Sequence, residues 1–214
     1  MRALFIFALI LIGSFGLKAQ KFRPYHAFGF EINANSTKLI KEANFISSFG
    51  SSNADFDEPV LRFDVLFSFD YGLKKWLGLS TGLGFSLRGG KGGSYRVGYL
   101  EQSYRRDLLY LSLPLRMQLK PFNFLWFEPG LEINTYLWRS HEVFAYGSFT
   151  NLQEDFKPIC VNYTASARFH LHQGLSLHLG IIRGLSPVYT GPFVYDDFGL
   201  RFGLRFMFNQ PVSK

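Results

Sequence analysis

The stretch FGLRFGLRFMF, Phe198–Phe208, decides the fold of this chain because large apolar side chains occupy every second position. Its phenylalanines and leucines share one parity, and the other parity holds two glycines, two arginines and a methionine. A period of two residues is the signature of a β-strand, because successive side chains point to opposite faces. This segment is therefore predicted to be a strand with one apolar face and one polar face.

The same alternation recurs along the chain and predicts eight strands. The predicted strands are Tyr25–Ser36, Val60–Tyr71, Trp76–Arg88, Asp107–Lys120, Leu125–Trp138, Ile159–Leu171, Leu175–Leu185 and Asp197–Phe208. Each has about 11–14 residues, which is enough for a tilted strand to cross a bilayer. An even number of strands is expected of a bacterial single-chain membrane barrel.

The connections between these segments alternate in length. Short turns are predicted at Gly72–Lys75, Pro121–Phe124 and His172–Gly174, and long polar loops at Thr37–Pro59, Gly89–Arg106, Arg139–Pro158 and Ser186–Asp196. Short turns on one side and long loops on the other are typical of outer-membrane barrels, with the turns in the periplasm. The chain is thus predicted to be all-β: an eight-stranded antiparallel up-and-down transmembrane β-barrel in the cell outer membrane.

The charged residues of the polar face decide which face meets lipid. An arginine near the bilayer midplane costs about 2–4 kcal/mol, and five arginines would together exceed the stability of an ordinary domain. The apolar face must therefore meet lipid, and the charges must point inward. The predicted interior ion-pair network consists of Glu31, Arg62, Asp64, Asp70, Arg116, Glu128, Glu132, Arg168, Arg201 and Arg205. Eight strands leave room for side chains but not for an open channel.

Composition supports a membrane protein and argues against nucleic-acid binding. Aromatic residues make up 18% of the chain, and charged residues, at 18%, fall below the usual ~25%. The net charge of +7 comes from scattered Lys and Arg without a recognition motif, so no nucleic-acid partner is expected. Residues 1–19 are predicted to be a secretory signal cleaved before Gln20, which leaves residues 20–214 as the barrel domain.

Three details of the strands carry their own expectations. Pro114 and Pro129 lie within predicted strands, where each removes a ladder hydrogen bond, so β-bulges are expected there. Arg183 falls on the lipid-facing parity near a strand end, where its side chain can reach the headgroups.

A soluble lipocalin-like ligand carrier is the least favoured alternative, because it requires an apolar interior and a polar exterior.

Few residues suggest chemistry. Ser140, His141 and Glu142 stand together in a predicted outer loop and make a lipid A-modifying enzyme the alternative function, although adjacent residues rarely form a catalytic relay. His170, His172 and His178 lie near one turn, where a solvated position at the periplasmic rim is a simpler interpretation than a metal site. Cys160 is the single cysteine, which gives no support to structural zinc. No catalytic residue, cofactor or metal is expected.

Two short motifs resemble those of a known family. The segments LGFSLRGGK at residues 83–91 and YLSLPL at residues 110–115 resemble the PorT-like outer-membrane β-barrel family of Bacteroidetes, and Ala19-Gln20 is similar to signal cleavage sites in that phylum. The resemblance implies an integral outer-membrane barrel, and its namesake supports protein export through type IX secretion.

These observations favour a non-enzymatic barrel that acts through its loops. Its expected partners are outer-membrane lipid and a protein bound through the loops at residues 37–59, 89–106 and 139–158. The sequence therefore predicts a structural, adhesive or secretion-accessory role for the protein.

Overall fold

The computed structural model describes residues 24–41, 58–96, 99–145, 157–172, 174–188 and 195–209. The predicted signal and most of three predicted loops, at residues 42–57, 146–156 and 189–194, lie outside these ranges. The described chain forms eight strands: β1 (Tyr25–Lys41), β2 (Val60–Lys74), β3 (Leu77–Arg96), β4 (Tyr99–Leu119), β5 (Leu125–Ala145), β6 (Ile159–His172), β7 (Leu175–Gly184) and β8 (Tyr195–Phe208). No helix within these ranges is long and apolar enough to cross a membrane.

The strands close into a single antiparallel barrel in chain order, with β8 paired to β1. Starting at Ala27 and passing from partner to partner through all eight strands returns to β1 at Thr37, ten residues further along. This stagger is the shear of the barrel, and it requires the strands to tilt against the barrel axis. The predicted eight-stranded up-and-down barrel is confirmed.

The two faces of the wall have opposite character, as β2 shows most clearly. Its exposed and buried residues alternate without a break from Leu61 to Gly72. Leu61 is 60% exposed on the outer face, whereas Asp64 is 0% exposed in the lumen. The ten steps from Leu61 to Tyr71 rise about 33 Å along the strand. At a tilt of about 40° they span roughly 25 Å, the height of an outer-membrane apolar band.

Several strands are longer on the loop side than the sequence predicts. Residues 89–96, 99–106 and 139–145, assigned to loops from the sequence, belong to β3, β4 and β5. Gly90 pairs with Arg106, and Arg106 pairs in turn with His141. The apolar alternation ends where the wall leaves the hydrocarbon, but backbone pairing continues because it does not depend on that alternation. The loop assignments for these residues were therefore wrong.

The expected bulges at the two prolines are absent from the described ladder. The pairs on either side belong to one unbroken register: Thr81–Leu115 and Gly84–Ser112 around Pro114, and Arg116–Gly130 and Leu119–Phe127 around Pro129. Each proline interrupts the hydrogen-bonded ladder, but neither strand has the extra residue that defines a β-bulge. A register shift of β4 against β5 occurs instead between Leu109 and Tyr110. Loss of one N–H donor is tolerated because the pairs on both sides hold the strands in place.

Candidate functional site

The lumen holds two separate groups of charged side chains. The first, called the turn-side cluster because it lies toward the short turns, comprises Glu31, Asp70, Arg116, Glu128, Arg168, His178 and Arg205. Arg205 contacts all three of its carboxylates. It forms an ion pair with Glu31, and its guanidinium nitrogens lie 3.4 Å from Asp70 Oδ1 and 3.6 Å from Glu128 Oε2.

The other arginines of the turn-side cluster complete these pairings. Arg116 donates from both terminal nitrogens to Glu31, with Nη1 2.9 Å from Oε2. Arg168 lies 2.7 Å from Asp70 and also pairs with Glu128. Three carboxylates thus face three guanidinium groups, so their formal charges cancel. A buried charge is stable only when it is paired and hydrogen-bonded in this way.

The second group, called the loop-side cluster, comprises Asp64, Arg88, Glu132, Asp197 and Arg201. Arg88 pairs with Glu132 and lies 2.9 Å from Asp197. Arg201 lies 2.9 Å from both Asp64 and Glu132. Within the described part of the chain, no salt bridge joins this cluster to the turn-side cluster.

Neutral side chains and glycines fit the charges into the lumen. Ser86 donates to Asp64 at 2.6 Å, and Asn33 donates to Glu31 at 2.9 Å. Gly203 faces the lumen beside Asn33, where a Cβ atom would lie 2.0 Å from Asn33 Oδ1. Inward glycines therefore provide the volume that the long arginine side chains occupy.

The structure places all ten residues of the predicted network in the lumen and joins nine of them in the two clusters. The exception is Arg62, which pairs with Asp107 instead. Sequence reasoning missed Arg88, Asp197, Asp107 and His178. Strand parity places Arg88 and Asp197 on the inward face, but both lie at the ends of predicted strands, and the predicted network does not include them.

Apolar side chains close the lumen at both ends of the clusters. Toward the turns lie Ala27, Trp126 and Met207, which are 1%, 7% and 5% exposed. Toward the loops lie Leu39, Leu108 and Val188, each at most 1% exposed. The charged clusters are thus enclosed by apolar layers and kept from bulk water, which strengthens their electrostatic interactions. The buried charges also rule out the lipocalin-like interior.

Lys120 lies just beyond the end of β4 at the turn-side rim. Its Nζ atom is 4.0 Å from the ring centre of Trp126 and 4.7 Å from that of Tyr25, whose hydroxyl it contacts. Burial at this position lowers the pKa of Lys120 to about 8, although the carboxylates of Asp70 and Glu128 act in the opposite direction. Lys120 is therefore a titratable group with a pKa slightly above neutral at the turn-side opening of the barrel.

The histidines do not share one surface site. His178 is 1% exposed inside the turn-side cluster, with Nδ1 3.5 Å from Glu31 Oε1. His170 packs on Trp126 with ring centres 4.1 Å apart, and His172 is exposed at the end of β6. The rim position expected for His178 was wrong, because its parity directs it into the lumen. Among the described residues, no three His, Cys, Asp or Glu side chains are arranged so that they could hold a metal ion.

The serine, histidine and glutamate of the enzymatic alternative lie in β5 and not in a loop. Ser140 pairs with Asp107, His141 with Arg106 and Glu142 with Arg105. Successive residues of a strand point to opposite faces. Three successive residues of one extended strand are a poor arrangement for a catalytic relay, which is recognised by geometry and not by adjacency.

Comparison with known proteins identifies the fold but no family. No protein-family model and no curated protein matches the sequence. Neisserial surface protein A has a similar structure, with a TM-score of 0.50 and 14% identity, covering 85% of this chain and 99% of that one. The attachment invasion locus protein Ail of Yersinia pestis has a TM-score of 0.44 and 10% identity, with coverages of 85% and 98%. The outer membrane protein OprG of Pseudomonas aeruginosa has a TM-score of 0.42 and 8% identity, with 86% of this chain and 96% of that chain covered. The fold is that of the small outer-membrane β-barrels.

Proposed function

We propose that this protein is an integral outer-membrane barrel that presents a β-sheet outside the cell and acts through it, in an adhesive or secretion-accessory role. The observation that carries this proposal is the uneven height of the wall. β3, β4 and β5 have 20, 21 and 21 residues, whereas β6, β7 and β8 have 14, 10 and 14. The additional residues lie on the loop side.

The extension is large compared with the membrane-spanning part of the wall. The last β5 residue that pairs with β6 is Thr135, and β5 continues for ten residues from Tyr136 to Ala145. At about 3.3 Å per residue, this is roughly 30 Å of strand. A wall that only had to cross the bilayer would not need it. A three-stranded sheet of this size is suited to contact with another macromolecule.

The packed lumen supports a role that does not involve diffusion through the barrel. Its centre is occupied by paired arginines and carboxylates, and breaking a buried pair costs about 3–5 kcal/mol. A diffusion pore would require many of these pairs to separate together. The lumen is therefore proposed to stabilise the wall and to hold the extension upright.

The motif resemblance to PorT-like barrels suggests a specific form of this function, assistance to protein export. The two resembling segments lie in β3 and β4, the strands that form the extended hairpin. An export role predicts a partner within the cell envelope, whereas adhesion predicts one outside the cell. Chemical cross-linking at the hairpin in intact cells distinguishes these two locations.

Shortening the hairpin tests the proposal. Residues 94–102 are replaced by Asn-Gly, which supplies a tight turn between Gly93 and its partner Ser103. The variant should remain in the outer-membrane fraction and keep its heat-dependent gel mobility, but lose adhesion or export activity. Replacement of the turn residues Phe122–Asn123 by Asn-Gly, at the opposite rim, is the control and should retain activity. Unchanged activity in the shortened variant would contradict the proposal.

The enzymatic alternative receives a separate test. Ser140, His141 and Glu142 are successive residues of β5 and not of a loop, which supports a non-enzymatic protein. His141→Ala should leave lipid A composition unchanged by mass spectrometry in cells that produce the barrel. A lipid A species lost in the variant and restored by the wild-type chain would establish catalysis.

A further inference from the structure

Pairing between β2 and β3 is interrupted on the loop side of the barrel. The register runs without a break from Gly72–Gly78 to Asp64–Ser86. The next four residues of each strand, 60–63 and 87–90, have no register partner on the other strand, and pairing resumes only at the bridge between Glu58 and Lys91. We call these two four-residue segments the seam. Because the backbone groups of a barrel wall need hydrogen-bond partners, the seam requires another means of closure.

Side chains take the place of the missing backbone pairs. If the register continued, Leu61 would face Gly89 across the seam. The Leu61 carbonyl instead accepts a hydrogen bond from Arg62 Nη1 at 2.7 Å. The Gly89 N–H donates to Thr37 Oγ1 at 3.2 Å, and the same hydroxyl donates to the Gly89 carbonyl at 3.1 Å. Gly89 has a φ of 153°, a conformation that favours glycine, so this contact depends on that residue.

Arg62 also connects two strands that are not neighbours. Its guanidinium extends from β2 past β3 to Asp107 on β4, with Nε 2.8 Å from Oδ1. Asp107 is the register partner of Gly89, so both side-chain contacts reach the same level of the wall. Arg62 is only 4% exposed, and a charge-assisted hydrogen bond kept from water is strong. We call the Arg62–Asp107 and Thr37–Gly89 contacts the latch.

Three irregularities of the wall fall on one line across β3, β4 and β5. Ser86 is the last residue before the seam, and it pairs with Tyr110, which pairs with Tyr136. The register of β4 against β5 shifts next to Tyr110, and Tyr136 follows the last β5 residue that pairs with β6. We call Ser86, Tyr110 and Tyr136 the junction line. Above this line β3 and β5 pair with β4, and within the described residues β3 has one further bridge, to Glu58.

We propose that the extended sheet of β3, β4 and β5 can tilt about the junction line and that the latch holds it upright. Thr37 and Arg62 belong to β1 and β2, which take no part in the extended sheet. Gly89 and Asp107 lie on the sheet above the line, so each latch contact joins the sheet to the barrel. The consequence for partners rests on the proposed function, in which this sheet is the contact surface. Release of the latch changes the direction in which the surface is presented.

The loop-side cluster limits the motion to a tilt. Arg88 lies two residues above Ser86 and pairs with the buried Glu132 and Asp197. These pairs keep the base of β3 in place while the latch, further from the line, resists the tilt. The latch consists of one ion pair and one hydroxyl, so it can open locally while the rest of the barrel stays folded.

Distances between spin labels on the full-length barrel in lipid vesicles test the proposal by double electron–electron resonance. In a Cys160→Ser chain, Ile32→Cys places one label on the exposed face of β1, and Ser103→Cys places the other on the extended sheet. The extension rises roughly 30 Å, so a tilt of about 10° would move its tip by about 5 Å. A second pair, Ile32→Cys with Leu115→Cys, has both labels on the barrel below the line and reports whether the wall is intact.

The latch variant is Arg62→Met with Thr37→Val, which removes the guanidinium and the hydroxyl. Its distance between positions 32 and 103 should shift by about 5 Å or more and become broadly distributed. Arg183→Met with Thr164→Val removes the same groups from β7 and β6 and should keep the narrow distribution of wild type. The distance between positions 32 and 115 should be the same in all three proteins.

Two results would overturn the latch. One is the same distance between positions 32 and 103 in the latch variant and its control. The other is an equal broadening between positions 32 and 115, which would show that the whole wall loosens. Heat-dependent gel mobility of each variant shows that the barrel is folded.

The distances are measured without a partner, so the tilt stands or fails independently of the proposed function. Unchanged activity of the shortened-hairpin variant would overturn only the proposed function. If that function holds, the latch variant should lose adhesion or export activity, although it keeps the entire sheet. A latch variant with changed distances and full activity would overturn the role of the tilt in presenting the surface.

Discussion

Arg205 on β8 and Glu31 on β1 are register partners where the last strand meets the first, and their side chains form an ion pair in the lumen. Glu31 is also bound by Arg116 from β4, across the barrel. One carboxylate therefore links the closing strands to the opposite wall. The charged lumen is thus part of what holds the barrel closed.

Arg205→Met should destabilise the barrel more than any single substitution at the lumen mouth. It leaves Glu31 without one partner and removes the contacts with Asp70 and Glu128, and breaking a buried ion pair costs about 3–5 kcal/mol. The free energy of unfolding in lipid vesicles, followed by tryptophan fluorescence in urea, measures this loss.

Arg62→Met is the matched control for that substitution. Among the described residues, Arg62 pairs with one carboxylate, that of Asp107, whose side chain is 15% exposed. Asp107 keeps a further interaction and partial access to water when Arg62 is replaced, so the loss of stability should be clearly smaller. An equal or larger loss for Arg62→Met would show that the turn-side cluster does not dominate stability.

The folded protein should give no steady current in planar bilayers. Paired charges fill the lumen and apolar side chains close both of its ends, so ions have no wet path. The shortened-hairpin variant should behave in the same way, because the obstruction comes from side chains of the wall. A steady ohmic conductance in either protein would refute a packed lumen.

Gly203→Val should destabilise or prevent assembly of the barrel. Its Cβ atom alone would lie 2.0 Å from Asn33 Oδ1 and 2.5 Å from the backbone oxygen of Ile32. The side-chain amide can move, but the backbone oxygen belongs to the neighbouring strand. Ala34→Val is the control, because it adds bulk to the outer face of β1, and it should assemble normally. The folded fraction after dilution from urea, read as unshifted gel mobility, distinguishes the two variants.

Lys120 should make stability depend on pH in the alkaline range. Its pKa is about 8 in the folded protein and near 10.5 in the unfolded chain. Between these values the unfolded chain holds a proton that the folded protein has released, so the contribution of Lys120 to stability increases with rising pH.

The comparison with Lys120→Met isolates that contribution from other titrating groups. The unfolding free energy of wild type minus that of the variant should rise between about pH 8 and 10.5. It should be constant below pH 8, where both states of Lys120 are protonated. A difference that stays constant across the whole range would contradict the assigned pKa.

The sequence predicts those parts of the fold in which the two faces of a strand meet different environments, lipid on one side and the packed lumen on the other. The alternation of Phe198–Phe208 and of β2 separates a lipid face from a packed lumen, and this contrast made strand number and face assignment predictable. The alternation of apolar and polar residues ends at the membrane surface. The extension of β5 from Arg139 to Ala145 was therefore not predictable from hydrophobic pattern.

The pairing of charges depends on register, which parity alone does not specify. Arg116 and Glu31 are 85 residues apart, and Arg88 and Asp197 are 109 apart. These contacts across the lumen follow from the shear of ten residues, which sets the level of each strand against the others. Lys38 and Arg183 come to one level in the same way, because both pair with Phe198.

Spin labels at Phe67 and Ser68 test the central claim, an apolar exterior around a packed polar lumen. These adjacent β2 residues are 46% and 1% exposed. Each is replaced by cysteine in a Cys160→Ser chain folded in vesicles. The label at Phe67 should be mobile and accessible to oxygen but not to a water-soluble nickel chelate. Ser68→Cys should resist labelling until the barrel is unfolded. Labelling of the folded Ser68→Cys protein, with access to the nickel chelate, would contradict the account.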